Sequence, residues 1–171
     1  MKKQIILILI ISIFFADIVS AKWIATINAQ GEHLKGQSKS VISIGIADSM
    51  KQVSAPPTAP LFSCEMVLYD SNWTKKLAKD IRNENDETTN SWIIAINPGG
   101  NVASPFDSKK STIKWDPSQF GDGTFKLISG WQADGECVIP DMRLETQMDV
   151  WGGNETLYFL IIQEKNFETT N

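Results

Sequence analysis

The feature that most restricts this chain is a period of two in its apolar residues, interrupted at short intervals by turn residues. Ile42, Ile44 and Ile46 alternate with Val41, Ser43 and Gly45, and Phe62, Cys64, Met66 and Leu68 alternate with Ser63, Glu65, Val67 and Tyr69. Trp92, Ile94 and Ile96 alternate in turn with Ile93, Ala95 and Asn97. Successive side chains of a strand point to opposite faces, so each run predicts a strand with one buried face. Ile113 with Trp115, and Phe125 with Leu127, obey the same rule. Further short strands are expected at Trp23–Asn28, Leu77–Arg82, Cys137–Arg143, Thr146–Trp151 and Leu157–Gln163.

Turn signals separate these runs: Ala55-Pro56-Pro57, Asn97-Pro98-Gly99-Gly100, Asp116-Pro117, Gly121-Asp122-Gly123, Ala133-Asp134-Gly135 and Trp151-Gly152-Gly153-Asn154. Proline supplies a fixed φ, and glycine or asparagine a positive one. The gaps look too short for parallel crossovers, so antiparallel pairing is expected. Helix is nearly absent, with one short turn of helix expected at Asn72–Lys79 and a polar loop at Asn83–Asn90. Strands so spaced predict an all-β sandwich or barrel.

The N-terminus carries a different signal. Met1, Lys2 and Lys3 form a basic head, Ile5 to Phe15 is almost wholly Ile, Leu and Phe, and Val19-Ser20-Ala21 places small residues where a signal peptidase cuts. The apolar run falls short of the ~20 residues that a membrane span needs. Residues 1–21 are therefore expected to be a cleavable signal peptide, 22–165 one β domain and 166–171 a polar tail. That places the mature protein outside the cytoplasm: extracellular, periplasmic or at the cell surface, with no membrane insertion after cleavage. Removing Lys2, Lys3 and Asp17 from 16 basic and 20 acidic residues leaves 14 and 19, net −5. Such a mildly acidic surface argues against nucleic acid and anionic lipid.

Two cysteines, Cys64 and Cys137, belong to the mature part. In an exported protein a pair reads most simply as a disulfide. It would close a loop of 137 − 64 = 73 residues, for which chain entropy suggests about 4 kcal/mol. The competing reading is two separate thiols. Two sulfurs and the lone His33 do not make a closed tetrahedral set, so no metal and no cofactor is expected.

Catalytic apparatus is not apparent. His33 lies in the polar stretch Gln30-Gly31-Glu32-His33, which reads as a loop, and no nucleophile elbow, phosphate loop or zinc-binding helix occurs. A pair of carboxylates for glycoside hydrolysis would leave no local trace, so a small secreted hydrolase is kept as a third reading. Asp116, Asp122 and Asp134 lack the spacing of a calcium loop.

Three groups of residues invite a binding role. Asp80-Ile81-Arg82 and Asp141-Met142-Arg143 each place Asp and Arg at i and i+2 of an expected strand. They read as surface ion pairs or, alternatively, as Arg82 and Arg143 offered to a carboxylate or sugar hydroxyl. Of the six tryptophans, Trp92 and Trp115 alternate with strand neighbours as core residues do. Trp73, Trp131 and Trp151 lie near turns, where an indole can stay exposed and stack on a sugar ring. The last strand is apolar on both faces, so Leu157, Phe159 and Ile161 are candidates for a face that docks a partner.

Ser43-Ile44-Gly45-Ile46-Ala47, Pro56-Pro57, Asp80-Ile81-Arg82, Ile113-Lys114-Trp115-Asp116-Pro117, Asp141-Met142-Arg143 and Gly152-Gly153 before an apolar strand follow in that order. The series resembles an immunoglobulin- or fibronectin-like module of secreted bacterial cell-surface proteins, over roughly residues 41–163. The resemblance implies an antiparallel two-sheet sandwich with a structural, adhesive or surface-binding role. The expected function is thus a non-catalytic interaction module with an extracellular or envelope protein partner. The alternative is a carbohydrate-binding module that holds polysaccharide on exposed tryptophans.

Overall fold

The computed structural model describes residues 21–33, 36–57, 64–84, 88–98, 109–152 and 155–165. The expected signal segment up to residue 20, the tail 166–171 and Phe62 lie outside them. The fold is all-β. Its strands are β1 (Ala21–His33), β2 (Gly36–Ala47), β3 (Lys51–Ser54), β4 (Glu65–Tyr69), β5 (Lys76–Asn83), β6 (Thr89–Asn97), β7 (Lys109–Trp115), β8 (Thr124–Ser129), β9 (Cys137–Ile139), β10 (Gln147–Gly152) and β11 (Leu157–Glu164). Among the described residues one 3-10 turn, Pro117–Gln119, interrupts them, capped by the Asp116 carboxylate, which accepts from the Ser118 N–H.

Hydrogen bonding runs through one continuous order, β10-β7-β1-β2-β5-β4-β6-β11-β8-β9, with β3 paired to β5 beside it. The expected antiparallel rule fails at one place, since β2 and β5 are parallel from Ser43/Lys79 to Ala47/Asn83. Their crossover is not a helix but β3 and β4, which supply the length that such a connection needs. The β4–β5 pairing covers only Leu68/Leu77 and Tyr69/Lys76, and at the start of β4 a side chain of β2 takes its place. The Ser40 hydroxyl donates to the Met66 carbonyl at 2.9 Å and accepts from the Met66 N–H at 3.0 Å.

The sheet curls on itself because its alternating apolar face must be covered. Ile27, Ile42, Ile44, Met66, Leu68, Trp92, Ile94, Ile96, Phe125 and Ile161 are each at most 2% exposed, and each such burial contributes roughly 1.5–3 kcal/mol. Trp23 of β1 meets Trp92 of β6 at 5.5 Å and Phe125 of β8 at 5.1 Å, edge to face in both cases. Strands far apart in the hydrogen-bonded order thus face each other across one core. The segment after β9 closes the curl. Met142 donates its N–H to the Phe125 carbonyl at 2.7 Å, while its own carbonyl accepts from the Trp115 indole at 2.7 Å.

Several expectations change in this frame. Residues Gln30–His33 belong to the β1–β2 hairpin rather than to a loop, with His33 paired to Gly36. Asn72–Lys79 holds no helix: a turn follows Asp70, and β5 begins at Lys76. The strand expected over Cys137–Arg143 ends at Ile139, because Pro140 has no N–H to donate and the Asp141 carboxylate takes the Arg143 N–H at 3.0 Å. β3 has no apolar alternation to mark it in the sequence, and all four of its residues are exposed. Cys64 and Cys137 are not joined. Cys64 is buried at the start of β4 and Cys137 is exposed on β9, with β6, β11 and β8 between those strands. Burial pushes the Cys64 thiol up, against a hydrogen bond with Ser111 that lowers it.

Candidate functional site

The outer face of β4, β6, β11 and β8 carries a cluster of exposed aromatic side chains. Register places Tyr69, Ile93, Leu160 and Ile128 side by side across the four strands, and Val67, Ala95 and Tyr158 in the next row. Leu160, Ile128, Val67 and Ala95 are buried although they face away from the main core. Two turns fold back toward this strip, each carrying a tryptophan.

The first turn follows β4 and is built on Asp70. Its Oδ1 accepts the N–H groups of Thr74 and Lys75 at 2.7 and 2.8 Å, and its Oδ2 accepts the Thr74 hydroxyl at 2.7 Å. The Asp70 carbonyl accepts the Trp73 N–H at 3.0 Å. Hydrogen bonds from the Thr74 hydroxyl and the Lys75 N–H hold the Asp70 carboxyl below the usual carboxylate range. Within this turn Trp73 sits at φ 59°, a left-handed conformation that is an outlier for a bulky residue.

The second turn follows β8. Gly130 at φ 92° donates its N–H to the Tyr158 carbonyl at 2.8 Å. Gly135 closes the hairpin where a Cβ would lie 2.0 Å from the Ser129 carbonyl oxygen, so no other residue fits there. Trp131 is delivered between these two glycines.

The two indoles converge on Tyr158. Trp73 lies 5.6 Å from Tyr158 and 5.9 Å from Trp131, and Trp131 lies 5.4 Å from Tyr158, centroid to centroid. Tyr69 backs the group at 5.1 Å from Trp73. Trp73 remains 40% and Trp131 51% exposed. Trp73, Trp131 and Tyr158 line a concavity of about 320 Å³. Two of the three tryptophans singled out from sequence therefore meet, and two tyrosines join them that sequence reasoning missed. The alternation of Tyr158 with core Phe159, and of Tyr69 with core Leu68, was the available signal.

Trp151 does not join this group. It stands 61% exposed on β10 opposite Lys110, with its neighbour Val150 turned into the core. The proposed partner face is also corrected. Phe159 and Ile161 are 7% and 0% exposed and belong to the core, against which the half-buried Leu157 packs. β11 lies between β6 and β8 with both edges bonded, so its inner face is occupied by the molecule itself.

Both arginines serve internal pairs. Arg82 reaches the buried Asp80 through Nε and a terminal nitrogen, each at 2.9 Å, and its guanidinium lies 5.1 Å from the Trp92 ring centroid. The other Asp80 oxygen accepts from Gln52 at 2.9 Å. Arg143 holds Asp141 through its terminal nitrogen at 3.0 Å. Burial would raise the Asp141 pKa, but hydrogen bonds from the Arg143 guanidinium and the Arg143 and Phe125 N–H groups outweigh it and keep the carboxyl low.

A second concavity of about 340 Å³ opens at the end of the core beside Trp23, lined by Lys22, Glu84, Asp122 and Gln163 among others. Its polar groups largely satisfy one another: Lys22 pairs with Glu84, and Gln163 accepts from Asn90 and donates to the Asp122 carbonyl. Among the described residues no three His, Cys, Asp or Glu side chains gather to hold a metal ion. Comparison with protein-family models, with curated proteins and with solved structures finds no match to this chain.

Proposed function

We propose that this is an exported, non-catalytic binding protein that takes an extracellular or envelope partner on the aromatic patch of Trp73, Trp131, Tyr158 and Tyr69. One observation carries the reading: two half-exposed indoles from separate turns are locked against Tyr158, one of them in a left-handed backbone conformation. Such a conformation costs about 1–2 kcal/mol, and leaving apolar rings in water forgoes burial that a core position would give. A chain that needed only stability would do neither. Strain held at an exposed aromatic cluster is characteristic of a site for something else.

The patch is also pre-organised. The Asp70 hydrogen bonds and the Gly130 and Gly135 backbone fix both indoles before any partner arrives, which lowers the ordering cost of binding. Carbohydrate is the second reading, supported by the exposure of the Trp73 and Trp131 indoles and not by their mutual angle of 84°. Export with cleavage after Ala21 fits a chain whose first strand is already engaged at Trp23. The immunoglobulin-like reading rests on strands that face each other across one core, whereas the single continuous strand order and the parallel β2–β5 pair depart from an antiparallel two-sheet sandwich.

The test is retention of the purified protein on isolated envelope material and on insoluble polysaccharide. Trp73→Gly with Trp131→Ala should abolish retention while Trp151→Ala leaves it intact. Equal retention of all variants would overturn the reading.

A further inference from the structure

Resting on that reading of the aromatic patch, we propose that the group it recognises is a quaternary ammonium, of the kind a choline head group carries. The concavity is lined by Trp73, Trp131 and Tyr158, with no lysine or arginine among them. Their planes stand at 84° between the two indoles, 88° between Trp131 and Tyr158, and 63° between Trp73 and Tyr158. No two rings are parallel, so they form a corner and not the flat platform on which a sugar ring stacks.

The lining also decides between ligand chemistries. A hydroxyl-rich ligand must find a hydrogen-bond partner for each group it takes out of water. Three aromatic side chains offer at most two indole N–H groups and one phenol. A nitrogen whose substituents are all alkyl asks for none. It is held instead by the negative faces of the rings, which attract a cation within ~6 Å of a centroid. With centroids 5.4–5.9 Å apart, one such group seated in the corner reaches all three. The net charge of −5 that remains once residues 1–21 are removed favours a cation.

The experiment titrates the purified protein with choline and with 3,3-dimethyl-1-butanol, its uncharged carbon isostere. Indole N–H resonances of Trp73 and Trp131 provide the readout. Choline should shift both saturably and bind at least about 10-fold tighter than the isostere. Trp131→Leu, which keeps apolar bulk but removes the ring, should abolish the shift at Trp73, and Trp151→Ala should leave both shifts in place. Vesicles of phosphatidylcholine locate the source: attenuation of the two resonances assigns the group to a lipid, and a response to free choline alone assigns it to a soluble or polymer-borne ligand. Equal affinity for choline and isostere would overturn the proposal, as would shifts with glucose and none with choline. If the patch variants still lose retention on envelope material in that case, only the ligand class has failed. If retention is also unaffected, the binding surface has failed with it.

Discussion

The indole N–H of Trp115 on β7 donates to the carbonyl oxygen of Met142, in the segment beyond β9, at 2.7 Å. The two residues belong to opposite ends of the hydrogen-bonded strand order, so the bond helps to close the curled sheet. Trp115→Phe keeps most of the buried ring and removes the donor, leaving a buried carbonyl without that partner. A loss of about 2 kcal/mol is expected, or about 5 °C in Tm for a domain of this size. Thermal melts followed by near-UV circular dichroism would measure it, and an unchanged Tm would show that the closure rests elsewhere.

Asp80 is 1% exposed and paired with Arg82, whose side chain is 29% exposed. Removing one partner of such a pair leaves a poorly solvated charge behind. Asp80→Ala should cost about 3 kcal/mol, and Arg82→Ala somewhat less because its head keeps some water. The double variant should lose less than the two single losses together, with a coupling of about 1–3 kcal/mol. Urea unfolding of the four proteins completes the cycle, and additive losses would count against a direct pair.

Acid should weaken the fold through Asp141. Its folded-state carboxyl lies below the ordinary value, chiefly because Arg143 overcomes the effect of burial. The unfolded chain therefore binds the proton more readily, and stability falls as pH drops through the ordinary carboxylate range, near pH 4, and below. Asp141→Asn should lower stability at neutral pH and approach wild type in acid. Urea midpoints taken from pH 7 down to pH 3 would show the two curves converging, and parallel curves would contradict this assignment.

Much of the core could be read from alternation. The runs at Ile42–Ile46, Trp92–Ile96, Ile113–Trp115 and Phe125–Leu127 all place their expected residues inside, because a half-buried strand leaves a local trace. The curl leaves none: pairing β2 parallel to β5 and closing through Met142 depend on long-range contacts. The binding patch was half legible. Turn positions marked Trp73 and Trp131 as exposable, but nothing local says that they meet each other and not Trp151. Tyr158 and Tyr69 enter only once strand register is known. The apolar length of Leu157–Ile162 suggested a docking face because a central strand buried on both faces reads the same way.

The cysteines make a simple prediction. With Cys137 exposed and Cys64 buried and not bonded to it, native protein should react with a thiol reagent at Cys137 and leave Cys64 untouched until it unfolds. The raised pKa of Cys64 works in the same direction, since the thiolate is the reactive form. Mass spectrometry after labelling with and without urea would count one and then two adducts. No adduct in either state without a reductant would mean that the thiols pair in solution.

The sharpest separation of stability from binding lies at Trp73. Its φ of 59° suits glycine and strains a bulky side chain. Trp73→Gly relieves about 1–2 kcal/mol of that strain. The variant also forfeits ring contacts with Tyr69, Tyr158 and Trp131, which are worth about 0.5–1.5 kcal/mol per pair, and gives the unfolded chain more freedom. These opposing effects leave a net loss of only about 1–2 kcal/mol, while the concavity loses one of its three walls. Folding measured by urea titration should change modestly, whereas retention on the partner should disappear. A Trp73→Gly protein that unfolds outright, or one that binds as wild type does, would show that this indole serves the fold instead.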